Sequence, residues 1–279
     1  MKKLLIAAAC ISAFASVAFA DVETNKASVK SALTGAFAEH DVAAVDKYFA
    51  DPYIQHNPIA PSGVAPLRGL VEQLSKGPKG DVEIHRIIGE GDLVASHTTY
   101  TGFGPVPLVA FDVFRFNKDG KIVEHWDNLA PVAAPNVSGH TQTDGATQIV
   151  DQDKTEANKA LVEDFISRAL IEREQLDFTK FISPTTYIQH NSSAGDGFEG
   201  LSAFMQYLAE NKIDFYYKQR HLLVAEGNFV MAASVGVFGD APTAYFDLFR
   251  LEDGLIVEHW DVIADMPSGD LPAGYPGKF

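Results

Sequence analysis

Apolar residues set the elements of this chain, and they set them twice. Val29, Leu33, Ala36 and Phe37 recur at helical spacing and predict a helix over 23–39. A second short helix follows over 42–49, after the His40-Asp41 break. Asp51-Pro52 ends it, because the residue before proline is pushed out of the helical region. Tyr53–Asn57 then reads as a strand, a Pro- and Gly-rich loop leads to a helix at 69–74, and four strands follow at 82–88, 93–101, 108–117 and 121–129. The second half repeats the order, beginning with a helix over 155–170.

The repetition extends to residues. Tyr53-Ile54-Gln55-His56-Asn57 returns as Tyr187-Ile188-Gln189-His190-Asn191, and Ile122–Asp127 returns as Ile256–Asp261, both 134 residues later. A period that long is a duplicated domain; solenoid repeats run about 20–50 residues. The expected division is a leader over 1–20, a first domain over 21–130, a Pro/Gly/Ser/Thr-rich linker over 131–150, a second domain over 151–265 and an irregular tail over 266–279. Each domain is read as α+β, with three N-terminal helices on a curved, mostly antiparallel sheet, giving two tandem cone-shaped barrels. The hairpins at Asn117–Gly120 and Asp253-Gly254 differ by one residue in length. Pairing out from those turns sets Phe116 against Ile122 and Val113 against His125, and in the copy Leu251 against Ile256 and Leu248 against His259.

Composition adds three points. Lys2 and Lys3 precede an apolar run that ends at Ala18-Phe19-Ala20, the pattern of a signal peptide cleaved after Ala20, so the protein is expected to be secreted and periplasmic. Cys10, the only cysteine, would leave with it, so the mature core must hold without disulfides. A formal charge of −15, with acids scattered along the chain, argues against nucleic acid or an anionic membrane as partner.

Candidate chemistry collects on the repeated strands. His125 and Asp127, with His259 and Asp261, alternate on one strand face and suit proton transfer. His56 and His190 can face the same pockets. His97, which has Ala233 in the other copy, gives three imidazoles to the first half and makes it the expected seat of activity. Those three imidazoles leave a histidine-ligated metal as a weaker alternative, but no short-spaced ligand pair supports it. No metal or cofactor is expected. Tyr53 and Tyr187 are read as pocket walls or packing, and Asp112 and Asp247 as structural acids sharing a face with Trp126 and Trp260.

Taken in order, these motifs resemble the SnoaL-like branch of the nuclear transport factor 2-like superfamily. The run from Gly145 to Lys159 also resembles predicted SnoaL-like aldol-condensation proteins. The resemblance implies a small-molecule pocket and an aspartate, Asp127 or Asp261, that moves a proton beside a carbonyl without cofactor. It also implies that the halves pack as a pseudo-dimer within one chain. The superfamily spans cyclases, isomerases, lyases and binders, so two readings stand: a lyase, isomerase or cyclase, or a non-catalytic periplasmic small-molecule-binding protein.

Overall fold

The computed structural model describes residues 21–279, so the expected signal peptide lies outside the described residues. The first half runs α1 (Val22–Leu33), α2 (Val42–Tyr48), β1 (Phe49–Gln55), α3 (Val64–Leu74), β2 (Asp81–Glu90), β3 (Leu93–Thr101), β4 (Leu108–Phe116) and β5 (Ile122–Pro131). The last turn of α1 widens into a π-helical turn over Thr34–Ala38. The second half runs α4 (Thr155–Phe165), with its own π turn over Ile166–Ile171, then β6 (Ile188–Gln189), α5 (Gly197–Glu210), β7 (Phe215–Glu226), β8 (Phe229–Phe238), β9 (Ala241–Glu252) and β10 (Leu255–Asp265). Among the described residues no helix is long and apolar enough to cross a membrane.

Each half builds one five-stranded mixed sheet with the same strand order, β1-β5-β4-β3-β2 and β6-β10-β9-β8-β7. The first strand of each pairs parallel to the last, and the rest are antiparallel. Neither sheet closes on itself, so the expected barrels are open α+β sheets with helices on one face. The helices cover that face through Val29, Leu33, Val45, Leu67, Val71 and the inward residues of β4 in the first half. Val162, Phe165 and Ile166 do the same in the second.

The second half departs from the expected three helices. Where α2 stands in the first half, it has a single 3-10 turn over Phe178–Lys180. Asp41 caps α2 by accepting from the Ala43 N–H, and the apolar Val-Ala-Ala-Val run that follows propagates the helix. Asp177 makes the corresponding cap to the Thr179 N–H, but an aromatic and β-branched sequence follows, which propagates poorly. In the first half, Gly35 sits so close to Ala44 that a Cβ at Gly35 would lie 2.7 Å from the Ala44 Cβ. That tight α1–α2 contact has no equivalent in the second half.

The expected hairpin turns form, with Gly120 at φ 71° and Asp253 and Gly254 at φ 50° and 76°. The expected register does not continue beyond them. Phe116 pairs with Ile122 and Leu251 with Ile256, but the next pairs are Arg115 with Glu124 and Arg250 with Glu258. Val123 and Val257 are therefore bulge residues. One extra residue moves every later side chain to the other face. His125 is opposite Phe114 rather than Val113, and His259 opposite Phe249 rather than Leu248.

The sheet faces turned away from the helices pack on each other through Phe111, Val113, Trp126, Met231, Phe246, Leu248 and Trp260. Contacts between the halves are reciprocal. Lys26 binds Glu226 at 2.7 Å, and Lys159 binds Glu90. Glu226 also accepts from the Gly89 N–H, and Glu90 from the Ala225 N–H. The segments that follow each sheet cross over. The 131–150 segment reaches His190 of the second half through the Thr141 carbonyl, and the C-terminal tail reaches His56 of the first through the Gly277 carbonyl.

Candidate active site

The bulge brings three residues onto the helix-covered face of each sheet. Asp112 lies directly across from Asp127, and Asp247 across from Asp261. His125 Nε2 is 3.2 Å from Asp112 Oδ1, and His259 Nε2 is 3.1 Å from Asp247 Oδ1. Asp112 and Asp247, read from the sequence as acids beside a tryptophan, are thus the partners of the histidines. Trp126 and Trp260 are on the opposite face, stacked on His56 and His190 at centroid distances of 4.9 and 4.6 Å.

The Gln-His-Asn motif divides between the two faces by strand alternation. Its glutamine and asparagine, not its histidine, enter the site. Gln189 Oε1 accepts from the Asn191 N–H at 3.0 Å, and Gln189 Nε2 donates to Tyr187 Oη at 3.2 Å. With the amide so oriented, His259 Nδ1, 3.0 Å from Gln189 Oε1, must carry a hydrogen and donate it. His259 Nε2 then shares a second proton with Asp247, to which the Tyr217 hydroxyl also donates, at 3.0 Å from each oxygen. Asn191 Nδ2 donates to Asp261 Oδ2 at 2.7 Å. The first half repeats this network with Gln55, Asn57, Tyr53, Tyr100, Asp112, His125 and Asp127.

Burial tunes these groups. It pushes the Asp261 carboxyl above its usual range; the charge of His259 works against this and that of Asp247 adds to it. Burial alone would depress His259, but the hydrogen bond to Asp247 and the charges of Asp261 and Asp247 outweigh it, and the imidazolium is favoured. Burial raises the Tyr217 phenol well above its ordinary value, helped by the Asp247 charge, so it remains a donor. In the first half burial raises Asp112 against the opposing bond from His125.

In the second half the site opens into a cavity of about 400 Å³. Asp247, His259, Asp261, Gln189 and Asn191 form its polar end; Phe165, Phe178, Phe198, Phe215 and Phe249 are among its apolar walls. Ala169, Leu170 and Phe178 line it where the α2 counterpart is missing. The acids themselves are buried in both halves, Asp112 and Asp127 at 2 % and 5 % exposure, Asp247 and Asp261 at 1 % and 9 %. Asp127 Oδ1 has no hydrogen-bond partner, Lys278 Nζ is 4.0 Å from it, and the same Lys278 donates to the Asp127 carbonyl.

These observations correct several expectations. His97 does not join His125: it lies on the inter-half face, stacked on Phe111 at 4.3 Å with Arg86 Nη1 3.2 Å from its Nδ1. Ala233 is its counterpart, since each pairs with the matching phenylalanine, Phe111 or Phe246. The asymmetry therefore concerns the contact between the halves and not the pockets. His56 and His190 are held by main-chain carbonyls on Nδ1 and by Glu124 or Glu258 on Nε2. His56, His97 and His125 stand on two sheet faces and cannot share one ion. Each Asp–His–Asp triad does bring its ligand atoms within 4.8 Å of one another, which suits a cation as well as a proton.

Residues 29–125 match the SnoaL-like domain family. The first half of the chain is a SnoaL-like domain. The second half repeats that domain's strand order and its Gln, Asn, His and Asp contacts, while the phenol on the aspartate comes from β3 (Tyr100) in the first half and from β7 (Tyr217) in the second. Similar solved structures include an LEH-like epoxide hydrolase from M. tuberculosis, at 22 % identity over 39 % of this chain and 84 % of that one, with a TM-score of 0.35. A putative polyketide cyclase from Bacillus cereus has 17 % identity over 38 % of this chain and 74 % of its own, with a TM-score of 0.33. An NTF-2 like protein of unknown function from Burkholderia xenovorans has 23 % identity over 40 % and 88 %, with a TM-score of 0.34. Among curated protein sequences none matches the chain.

Proposed function

We propose that the second SnoaL-like half binds a small, largely apolar molecule carrying a carbonyl group and moves a proton next to that carbonyl. The observation that carries this reading is the cavity in the second half, apolar along its walls and ending on Asp247, His259 and Asp261. Asp261 is the base. Its carboxyl is raised toward working pH, and Asn191 holds one oxygen so that the other is left for the substrate. His259, charged and held at both ring nitrogens by Gln189 and Asp247, stabilises the developing enolate through its charge, and Asp261 returns the proton. That is lyase, isomerase or cyclase chemistry of the SnoaL-like type. The first half serves as scaffold, and the two halves form a pseudo-dimer in one chain, exported after cleavage behind Ala20.

A binding role without turnover has its own support. The same network stands in the first half, where Asp127 is buried and the polar groups hold the sheet together. Deuterium exchange separates the readings. The mature chain is incubated in D₂O with a panel of small ketones and aldehydes, and exchange beside the carbonyl is followed by NMR. Exchange that is lost in Asp261→Asn supports the enzyme. Binding without exchange supports the binder. Exchange that survives Asp261→Asn removes the proposed base.

A further inference from the structure

The 131–150 segment carries His140 and Asp144 onto His190, and the geometry points to a divalent transition-metal site, of the zinc type, formed by these three residues at the junction of that segment with the second half. His190 Nδ1 is 2.8 Å from Asp144 Oδ1, and His140 Nδ1 is 3.6 Å from Asp144 Oδ2. One ligand atom from each residue lies within 4.8 Å of the others, and the two imidazoles are 5.2 Å apart between centroids. Tetrahedral zinc with bonds of about 2.0–2.1 Å sets its ligand atoms about 3.3 Å apart, so closure around an ion needs movements of an ångström or so. Two imidazoles and one carboxylate are three protein ligands, which leaves a fourth position for water or for the Thr141 carbonyl, now 2.8 Å from His190 Nδ1.

A second observation points the same way. Each imidazole has a carboxylate on its far nitrogen, the arrangement that fixes the tautomer and orients metal-bound histidines. His140 Nε2 faces Asp196 Oδ2 at 3.2 Å, and Asp196 is itself held by the Gln189 N–H. His190 Nε2 faces Glu258 Oε1 at 2.9 Å, and Arg250 anchors Glu258 at 2.6 Å. Gly145 lets the segment pass this closely: it has φ 93°, and a Cβ there would lie 2.1 Å from Glu258 Oε1.

The first half provides an internal control. His56 has the same carboxylate, Glu124 at 3.1 Å, and the same carbonyl contact, from Gly277 at 2.7 Å. The tail residues there are Pro276, Gly277 and Lys278, none of them a partner for a zinc-type ion beside an imidazole. The site is therefore expected once per chain. Binding displaces the proton of His190 Nδ1, so uptake releases protons to solvent.

The test uses the mature full chain, stripped with chelator and titrated with Zn²⁺ by calorimetry in two buffers of different ionisation enthalpy. One equivalent should bind with proton release. His140→Ala and Asp144→Ala should abolish this binding, and Asp196→Asn should weaken it about 10- to 100-fold. All three positions are at least partly exposed, so the variants should fold, which circular dichroism checks. His259→Ala, in the cavity triad, should leave the stoichiometry unchanged. Binding that survives His140→Ala and Asp144→Ala, or that disappears in His259→Ala instead, would overturn the site. So would no binding by the folded parent chain.

Discussion

Lys26→Met should destabilise the chain far more than Lys159→Met, although the two lysines hold equivalent places. Lys26 and Glu226 meet with side chains 9 % exposed on both sides, whereas Lys159 and Glu90 are each 26 % exposed. Removing Lys26 leaves Glu226 as a buried charge with the Gly89 N–H at 2.7 Å and Gln152 at 3.4 Å as its remaining donors. Breaking one side of a buried pair costs about 3–5 kcal/mol, and the two surviving donors put this case near 3 kcal/mol. Lys159 holds a half-solvated pair, and Glu90 keeps the Ala225 N–H, so its loss should cost about 1 kcal/mol. The assay is urea unfolding of the mature chain. At an m-value of about 3 kcal/mol/M the midpoints should fall by about 1 M and about 0.3 M. Lys26→Met with Glu226→Leu should recover much of the loss, since an apolar pair of similar volume removes the stranded charge. Equal losses for the two lysine variants, or a double variant that loses the sum of its parts, would refute the argument that burial separates these pairs.

Other expectations follow from the site and the inter-half face. If Asp261 is the base, Asp261→Asn should cost about 10²- to 10⁴-fold in kcat for whatever carbonyl compound exchanges, and Asp127→Asn should leave that rate near the parent value. The pH profile of kcat/KM should rise with a midpoint above the ordinary aspartate value and fall with one above the ordinary histidine value, because both Asp261 and His259 are raised; Asp247→Asn, which removes the bond favouring the imidazolium, should bring the upper limb down in pH. Ala169→Trp should fill part of the cavity and weaken ligand binding, read by calorimetry, with little change in the unfolding midpoint. His97 is buried beside Arg86, and burial, with that charge, holds it neutral well below its ordinary pKa. The unfolded chain takes up a proton first, so stability should fall as pH drops below about 6.5, and less so in His97→Gln, measured by urea midpoints at pH 7.5 and 5.

The duplication, the helix-then-sheet order and the hairpin turns were legible because periodicity and turn chemistry are local. The site was harder to read, and one residue explains why. Counting outward from a correctly placed turn misses a bulge, and the bulge at Val123 or Val257 inverts the face of every residue beyond it. Hence Asp112 and Asp247 were separated from His125 and His259 in the sequence reading, although they are hydrogen-bonded partners. The histidine of the Gln-His-Asn motif was also read as able to face the pocket, whereas the parallel pairing of Gln55 with His125 puts the flanking polar residues there. A signal was available: Gln and Asn two apart on a strand share a face, and both were repeated. The contribution of His140 and Asp144 could not be foreseen, because no local pattern tells which half a linker will cover.

Why the cavity lies in the second half follows from packing, not from the residues first singled out. Both halves keep the triad, so the triad cannot decide which half opens. The difference is the element above it. In the first half α2 packs on the end of α1 through Gly35 and Ala44, a contact that admits no added methyl group without movement. In the second, one 3-10 turn replaces that helix, Arg168 stands where Gly35 does, and Ala169, at the position equivalent to the buried Ala36, lines the cavity. The shorter element uncovers apolar wall that a full helix would bury. A duplicated domain can accept that loss because its sheet is supported from behind by the other copy, through Trp260, Phe246 and Met231. The first half, with its helices complete, supplies much of that support.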